Sequence, residues 1–126
     1  VFDDSVAPIV DAGLADLVAS DHRINDQIRL ESTPGHTPGH ASIRIESQGQ
    51  LAMITGDMIH HPVQFAHPEM ASSADWRQDM STATRHEAFD RWADGRLVIG
   101  THFAGRTAGR LAKLDQGAGW RFDSAG

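Results

Sequence analysis

Three stretches of this chain each place a metal-binding residue type beside a turn. The first carries His36, the second carries Asp57 and the third carries His102. Imidazole and carboxylate groups are the side chains that bind zinc and similar divalent ions in a protein without cysteine. A carboxylate can also bridge two ions about 3.5–4 Å apart. The ordered series of imidazole, carboxylate and imidazole therefore predicts a metal centre.

Each of these residues also has a plain structural interpretation when it is taken alone. His36 could simply cap a strand, Asp57 could cap the loop that follows it, and His102 could be a structural histidine. However, a carboxylate at the end of a buried strand costs free energy unless it meets a cation or several hydrogen-bond donors. Three such positions in one chain without cysteine favour the metal centre.

Other residues near these positions are candidates for supporting roles. His40 stands four residues after His36, and we expect it to hydrogen-bond the loop rather than bind metal. His60 and His61 follow Asp57, and one of them is expected to line a pocket or brace the turn, although both could be surface residues. Four loop residues beside the predicted ligands are candidate substrate contacts or, alternatively, anchors that pack onto the core: Phe65, Trp76, Phe103 and Arg106. For Trp76 the anchor role is favoured.

The elements that must position these residues can be predicted from apolar periodicity and turn residues. A capped helix is expected to begin near Asp3 and to end at Gly13, and a second helix to begin at Ser81 and to end at Gly95. Residues 60–79 have the composition of a long loop, which in a folded domain is usually functional or disordered. Strands are expected at residues 14–19, 28–33, 41–46, 51–55 and 97–99, with a last hairpin around residues 117–119.

Composition narrows the class of protein. The chain has 126 residues, enough for one domain with a buried core. Its net charge of -6 argues against nucleic-acid binding, and no apolar run approaches the ~20 residues of a membrane span. The absence of cysteine and of a recognisable signal peptide fits a cytoplasmic protein, and a homodimer is left open.

The three motifs together resemble the C-terminal half of a metallo-β-lactamase-fold hydrolase. The resemblance rests on the segments GHTPGH at 35–40, TGD at 55–57 and GTH at 100–102, which occur in the family's order and cover nearly the whole chain. Within that superfamily, the segment HHPVQ at 60–64 and the pair HP at 67–68 are similar to the branch of quorum-quenching lactonases and methyl-parathion-hydrolase-like enzymes.

The resemblance implies an α+β fold: half of an αββα sandwich, with a mixed sheet and flanking helices. By matching position, His36 would complete the first metal site, Asp57 would bridge two divalent ions at the catalytic centre, and His102 would bind the second ion. The ions would be zinc or, alternatively, iron, manganese or cobalt. Enzymes of this family hydrolyse a lactone, ester or phosphoester with a metal-bridging hydroxide, so the resemblance also implies a small-molecule substrate.

One part of the family pattern is missing. The other ligands lie in an upstream His-x-His-x-Asp-His motif, which these 126 residues do not contain. We therefore expect residues 1–126 to be the C-terminal portion of a single metallo-hydrolase domain, truncated or processed ahead of Val1. Activity would then belong to the complete polypeptide.

Two other functions remain open at this point. The chain could be a non-catalytic fragment that folds or dimerises as a binding module. An in-frame His-x-His-x-Asp-His motif ahead of Val1 would favour the enzyme over the binding module. A thioester hydrolase of the glyoxalase II type shares the three ligands, but the basic residues that would bind a glutathione carboxylate are not identifiable here.

Overall fold

A computed structural model describes residues 1–115 and 119–124. Within them, six strands form one sheet in the order β1 to β6. All neighbouring strands are antiparallel except β3 and β4, which are parallel. The sheet is therefore mixed, as expected. The strands are β1 (Ile28–Ser32), β2 (Ala41–Ser47), β3 (Gln50–Ile54), β4 (Asp94–Ile99), β5 (Ala108–Lys113) and β6 (Trp120–Ser124).

The parallel pairing decides where the candidate ligands lie. Ile54 at the end of β3 is opposite Ile99 at the end of β4, so the chain leaves both strands at the same edge of the sheet. The β1–β2 connection lies at that edge as well, because the Ser42 hydroxyl on β2 donates to the carbonyl of Thr55 at 3.0 Å. The three predicted ligands consequently follow strands that end side by side.

Two helices belong to the crossover between β3 and β4: α2 (Val63–Ala66) and α3 (Gln78–Trp92). The crossover covers one face of the sheet, where Met53, Val98 and Leu111 are fully buried. Parallel strands need such a crossover connection, usually a helix. The core on this face is aromatic as well as aliphatic, and it includes Phe89, Trp92 and Trp120.

The other face of the sheet is apolar but only partly buried. The strand register places Ile43 beside Ile54, and Ile54 beside Ile99, with Ile45 and Leu97 on the same face. All five side chains keep part of their surface exposed. This row of aliphatic residues is called the open face below.

The N-terminal segment does not join the sheet as predicted. A π-helical turn, Phe2–Val6, leads into α1 (Ala7–Asp11), and Ala12 caps that helix one residue before Gly13. The strand predicted at residues 14–19 is wrong, because these residues pair with no strand and Leu17 is 98% exposed. An apolar run forms a strand only where a partner can take up its backbone hydrogen bonds.

The predicted boundaries of the second helix are also wrong. Helix α3 begins at Gln78, because the backbone of Arg77 at the N-cap position is extended; the Arg77 side chain makes no capping hydrogen bond. It ends at Trp92, and Gly95, the expected terminator, lies in β4 at a register irregularity. Residues 60–79 include α2 as well as loop. The pairing of β5 with β6 confirms the last hairpin, although residues 116–118 of its turn lie outside the described residues.

No helix in the described ranges is long and apolar enough to span a bilayer.

Candidate metal centre

The three predicted ligands converge at one edge of the sheet. Each oxygen of the Asp57 carboxylate faces a different imidazole: Oδ2 lies 3.3 Å from Nε2 of His36, and Oδ1 lies 2.7 Å from Nε2 of His102. The turn that carries Asp57 and the turn that carries His102 are joined, because the hydroxyl of Thr101 donates to the carbonyl of Gly56 at 2.7 Å. One carboxylate thus connects two imidazoles from different parts of the chain.

His60 is the fourth side chain of this cluster. Its ring stacks on that of His102 with centroids 4.7 Å apart, and it lies 5.4 Å from the ring of His36. His36, Asp57 and His60 each offer a ligand atom within 4.8 Å of the other two. Nδ1 of His60 is buried without a hydrogen-bond partner among the described residues. The geometry therefore adds His60 to the candidate ligands, whereas the sequence predicted a pocket-lining or bracing role.

The side chain of Gln64 holds the turn that carries His60. Its Oε1 accepts the backbone N–H of His60 at 2.7 Å and that of His61 at 3.1 Å, while its Nε2 donates to the carbonyl of Met70 at 2.7 Å. Gln64 is buried, so water does not compete for these bonds. The two neighbouring histidines differ in consequence. His60 joins the cluster, whereas His61 is exposed and its Nδ1 accepts the N–H of Val63.

His40 supports Asp57 from behind. Nε2 of His40 accepts the backbone N–H of Asp57 at 2.9 Å, so this nitrogen carries no proton. Nδ1 therefore carries it and donates to the carbonyl of Thr33 at 3.0 Å. Burial lowers the pKa of His40, which agrees with a neutral ring. These bonds are of the kind predicted for His40 from the sequence.

The protonation states in the cluster suit metal binding. The hydrogen bond with His102 is the main reason that the pKa of Asp57 lies below its ordinary value, and the nearby imidazoles lower it further. Burial lowers the pKa of His60, and so does the charge of His102. Metal ions bind the ionised carboxylate and the neutral imidazole, which are the forms that these shifts favour.

The turn that carries His36 is packed against α3. Gly35 has a φ of 138°, and a Cβ at this position would lie 2.4 Å from Cα of Ser81, so only glycine fits. The backbone carbonyl of Gly35 accepts the N–H of Arg77, and that of His36 accepts the N–H of Trp76, both at 3.0 Å. The loop before α3 is thereby attached to the turn.

Sequence reasoning assigned no role to two residues that lie behind this turn, Asp75 and Arg85. Oδ1 of Asp75 lies 3.2 Å from Nδ1 of His36, and Oδ2 lies 3.7 Å from the guanidinium of Arg85. Burial raises the pKa of Asp75, but hydrogen bonds from Ser81, His36 and Ser72 outweigh it and leave the pKa below its ordinary value. The sequence gives little indication of the role of Asp75, because it is one acidic residue in a stretch without periodicity.

The structure corrects two expected substrate contacts. Phe65 is 1% exposed and Phe103 is 6% exposed, and both rings pack against Phe122 in the core. The anchor role favoured for Trp76 is also wrong, because this side chain is 56% exposed. Arg106 is exposed as well, and its contact with substrate stays a prediction.

The residues present fit a divalent ion. Two ligand atoms on one tetrahedral zinc lie about 3.4 Å apart, given metal–ligand bonds of about 2.0–2.2 Å. The 3.3 Å between Nε2 of His36 and Oδ2 of Asp57 is close to that value. The unpartnered buried Nδ1 of His60 shows that this imidazole is not used up by protein hydrogen bonds among the described residues. Three imidazoles and one carboxylate are fewer ligands than two closed zinc sites need.

Comparison with known proteins gives no sequence match but clear structural ones. Neither a protein-family model nor a curated protein matches the chain. Among solved structures, the hydrolase AbOPH of the beta lactamase superfamily matches with a TM-score of 0.87 and 25% sequence identity. That match covers 98% of this chain and 43% of AbOPH.

Two further structures agree with it. AidC, a dizinc quorum-quenching lactonase in complex with its product, matches with a TM-score of 0.80 at 19% identity over 99% of this chain and 47% of AidC. A probable metal-dependent hydrolase from Staphylococcus aureus matches with a TM-score of 0.76 at 19% identity over 90% of this chain and 41% of that protein. The chain spans less than half the length of each. It therefore has half of the metallo-β-lactamase fold and resembles the hydrolases and lactonases of that superfamily.

Proposed function

We propose that this chain carries the C-terminal metal ligands of a hydrolase that cleaves lactones, esters or phosphoesters. The observation that carries the proposal is the Asp57 carboxylate, which presents one oxygen to His36 and the other to His102. A bridging carboxylate in a two-metal centre directs one oxygen to each ion, and the two oxygens of Asp57 are directed to two different imidazoles. The chain's likeness to a dizinc lactonase and to metal-dependent hydrolases supports the same class of chemistry.

The proposed cofactor is a pair of divalent ions, zinc in the first instance, with iron, manganese and cobalt as the other candidates. When bound, such ions lower the pKa of water to about 7 and polarise the substrate oxygen. His36 and His102 would each bind an ion through Nε2, and Asp57 would offer one carboxylate oxygen to each ion. His60 lies beside them, either as a further ligand or against the substrate.

The protein's own contribution is to keep these groups in place before substrate arrives. The backbone of Asp57 is held by His40, and the turn of His102 is held to Gly56 through the Thr101 hydroxyl. Asp57 and His102 are nearly half exposed, so the cluster is open to a small molecule. Preorganised ligands of this kind save the free energy of rearranging the site during the reaction.

We further propose that a preceding segment of the complete polypeptide supplies the remaining ligands from a His-x-His-x-Asp-His motif. The ligand count supports this, because four side chains do not close two metal sites. The open face supports it too, since a row of five aliphatic side chains is a surface that a second sheet can cover.

The open face also favours the alternative of a dimerising binding module, in which a second copy of the chain would cover it. A homodimer of this kind would need no metal. A glyoxalase II-type thioester hydrolase remains a second enzymatic alternative on the ligand set alone.

The test is metal content and hydrolysis measured together on the full-length protein. Elemental analysis would be combined with a panel of lactone, aryl ester, phosphotriester and thioester substrates. The proposal expects bound divalent metal, turnover of one substrate class, and loss of both in Asp57→Asn. A native protein that binds no metal, or a D57N variant with unchanged metal content and rate, would overturn it.

A further inference from the structure

A buried ion pair stands directly behind His36. The side chain of Asp75 is 1% exposed and that of Arg85 is fully buried. A charged pair removed from water in this way is not a source of net stability by default, because the cost of desolvation offsets much of the attraction. The role of this ion pair is therefore sought in its contacts with neighbouring groups.

The two oxygens of Asp75 have different neighbours. Oδ2 accepts the backbone N–H of Ser72 at 3.1 Å and lies 3.7 Å from NH1 of Arg85. Oδ1 faces Nδ1 of His36 at 3.2 Å. Only donors surround Oδ2, so one end of the carboxylate is committed to the protein and the other end is presented to the imidazole.

Arg85 is itself fixed in several directions. Its Nε donates to the carbonyl of Pro68 at 2.8 Å, NH1 donates to the Ser81 hydroxyl at 2.6 Å, and NH2 donates to the Thr82 hydroxyl at 3.1 Å. The guanidinium cannot lose its proton in a protein, so it is a permanent positive charge beside the carboxylate. Since the Ser81 oxygen accepts from Arg85, its own proton is free to be donated to Asp75, which it also hydrogen-bonds.

We propose that Asp75 is a positioning residue that holds His36 in the tautomer with its proton on Nδ1, leaving the Nε2 lone pair toward Asp57 for a metal ion, and that Arg85 holds Asp75. A carboxylate can only accept, so Nδ1 of His36 must donate to it. This inference rests on the proposed function as far as metal binding is concerned. Without metal, Oδ2 of Asp57 also faces Nε2 at 3.3 Å and competes for the imidazole proton, so the effect of Asp75 on the tautomer is measured with Asp57 replaced by alanine.

The isosteric variant Asp75→Asn makes the sharpest test. Its amide oxygen will take the place of Oδ2, where Ser72 and Arg85 supply donors, and its NH₂ group will face Nδ1 of His36. Because that group is a donor, His36 must then accept at Nδ1 and carry its proton on Nε2. The lone pair that a metal needs is lost, and we expect the zinc Kd to weaken by about 10- to 100-fold.

The measurement is nitrogen NMR of histidine-labelled, metal-free, full-length protein at a pH of about 9, well above the ordinary imidazole pKa of about 6.5. The spectra are recorded in the Asp57→Ala background, where His36 should carry its proton on Nδ1 and the added Asp75→Asn change should move that proton to Nε2. Zinc Kd is measured with Asp57 intact, in the native protein and in D75N, by competition with a chelator. Asp79→Asn, which alters an exposed carboxylate paired with Arg77 near the same helix start, is the matched control and should change neither result.

The outcomes separate this inference from the proposed function. A D57A protein with the Nε2 tautomer at His36, or a folded D75N variant with native zinc Kd whose D57A/D75N form keeps the Nδ1 tautomer, would overturn the role of Asp75. If D75N does not fold, the tautomer in D57A alone decides. Failure of the native protein to bind zinc, with the Nδ1 tautomer observed, would count against the proposed function and leave the role of Asp75 in place.

Discussion

Nε2 of His40 accepts the backbone N–H of Asp57 at 2.9 Å, so a neutral imidazole holds the main chain of the residue at the centre of the cluster. The contact depends on Gly56. This glycine has a φ of 58°, and a Cβ on it would lie 2.7 Å from Nε2 of His40. The residue before Asp57 therefore needs both the conformational freedom and the small size of glycine.

Gly56→Ala should destabilise the protein more than the same change at Gly49. Both positions have positive φ, but the space around Gly49 is open. Left-handed strain alone predicts about 1 kcal/mol of unfolding free energy at Gly49, and the added collision with His40 predicts about 2–3 kcal/mol at Gly56. Urea unfolding of the two variants tests this. Equal losses would show that the His40 contact is not under steric constraint.

His60 and His61 form a natural pair of matched variants. His60→Gln should weaken zinc binding by at least about tenfold, since a ligand atom of His60 lies within 4.8 Å of those of His36 and Asp57. His61→Gln should leave the zinc Kd unchanged, because His61 is exposed outside the cluster. Chelator competition measures both. A native Kd in H60Q would restrict His60 to a role against the substrate.

Metal should stabilise the folded full-length protein. An ion that binds only the folded state at 100 times its Kd adds about 2.7 kcal/mol to the free energy of unfolding. We expect that increment in the native protein on zinc addition, and its removal by a chelator. Asp57→Asn should lose the increment while the metal-free stability changes little, because the side chain is nearly half exposed. Thermal unfolding that is insensitive to zinc in the native protein would contradict this prediction.

Gly35→Ala should separate the His36 turn from α3. The added Cβ would lie 2.4 Å from the backbone of Ser81, which cannot move without moving the helix. We expect a loss of about 3 kcal/mol in unfolding free energy together with weaker zinc binding. Gly39→Ala in the same connection is the control, since a Cβ added there would have no neighbour within 4 Å. Comparable losses in both variants would argue against packing on Ser81 as the cause.

The candidate ligands could be predicted from sequence because their signals are local. His36, Asp57 and His102 each follow an apolar strand and a glycine-containing turn, and strands that end at one edge bring such residues together. The last hairpin followed from the same patterns, whereas the mixed sheet was implied by the resemblance to the metallo-β-lactamase fold. The metal-binding roles of these three residues stay predictions until metal is measured.

Asp75 and Arg85 could not be predicted in this way. Their importance lies in contacts with His36, which is far from them in the chain, and no periodicity or motif encodes such a contact. The wrong strand at residues 14–19 has a related cause. Leu14 and Leu17 have the composition of a strand, but pairing depends on a partner that the local sequence does not specify.

The parallel pairing of β3 with β4 bears on the order in which the molecule assembles. Asp57 lies at the start of the crossover and His102 lies beyond its end, so they meet only after a long segment of chain has been closed. Closing such a segment is entropically expensive and tends to come late in folding. An ion that needs both side chains would then leave the refolding rate unchanged and slow the unfolding rate, so its protection would be kinetic as well as thermodynamic.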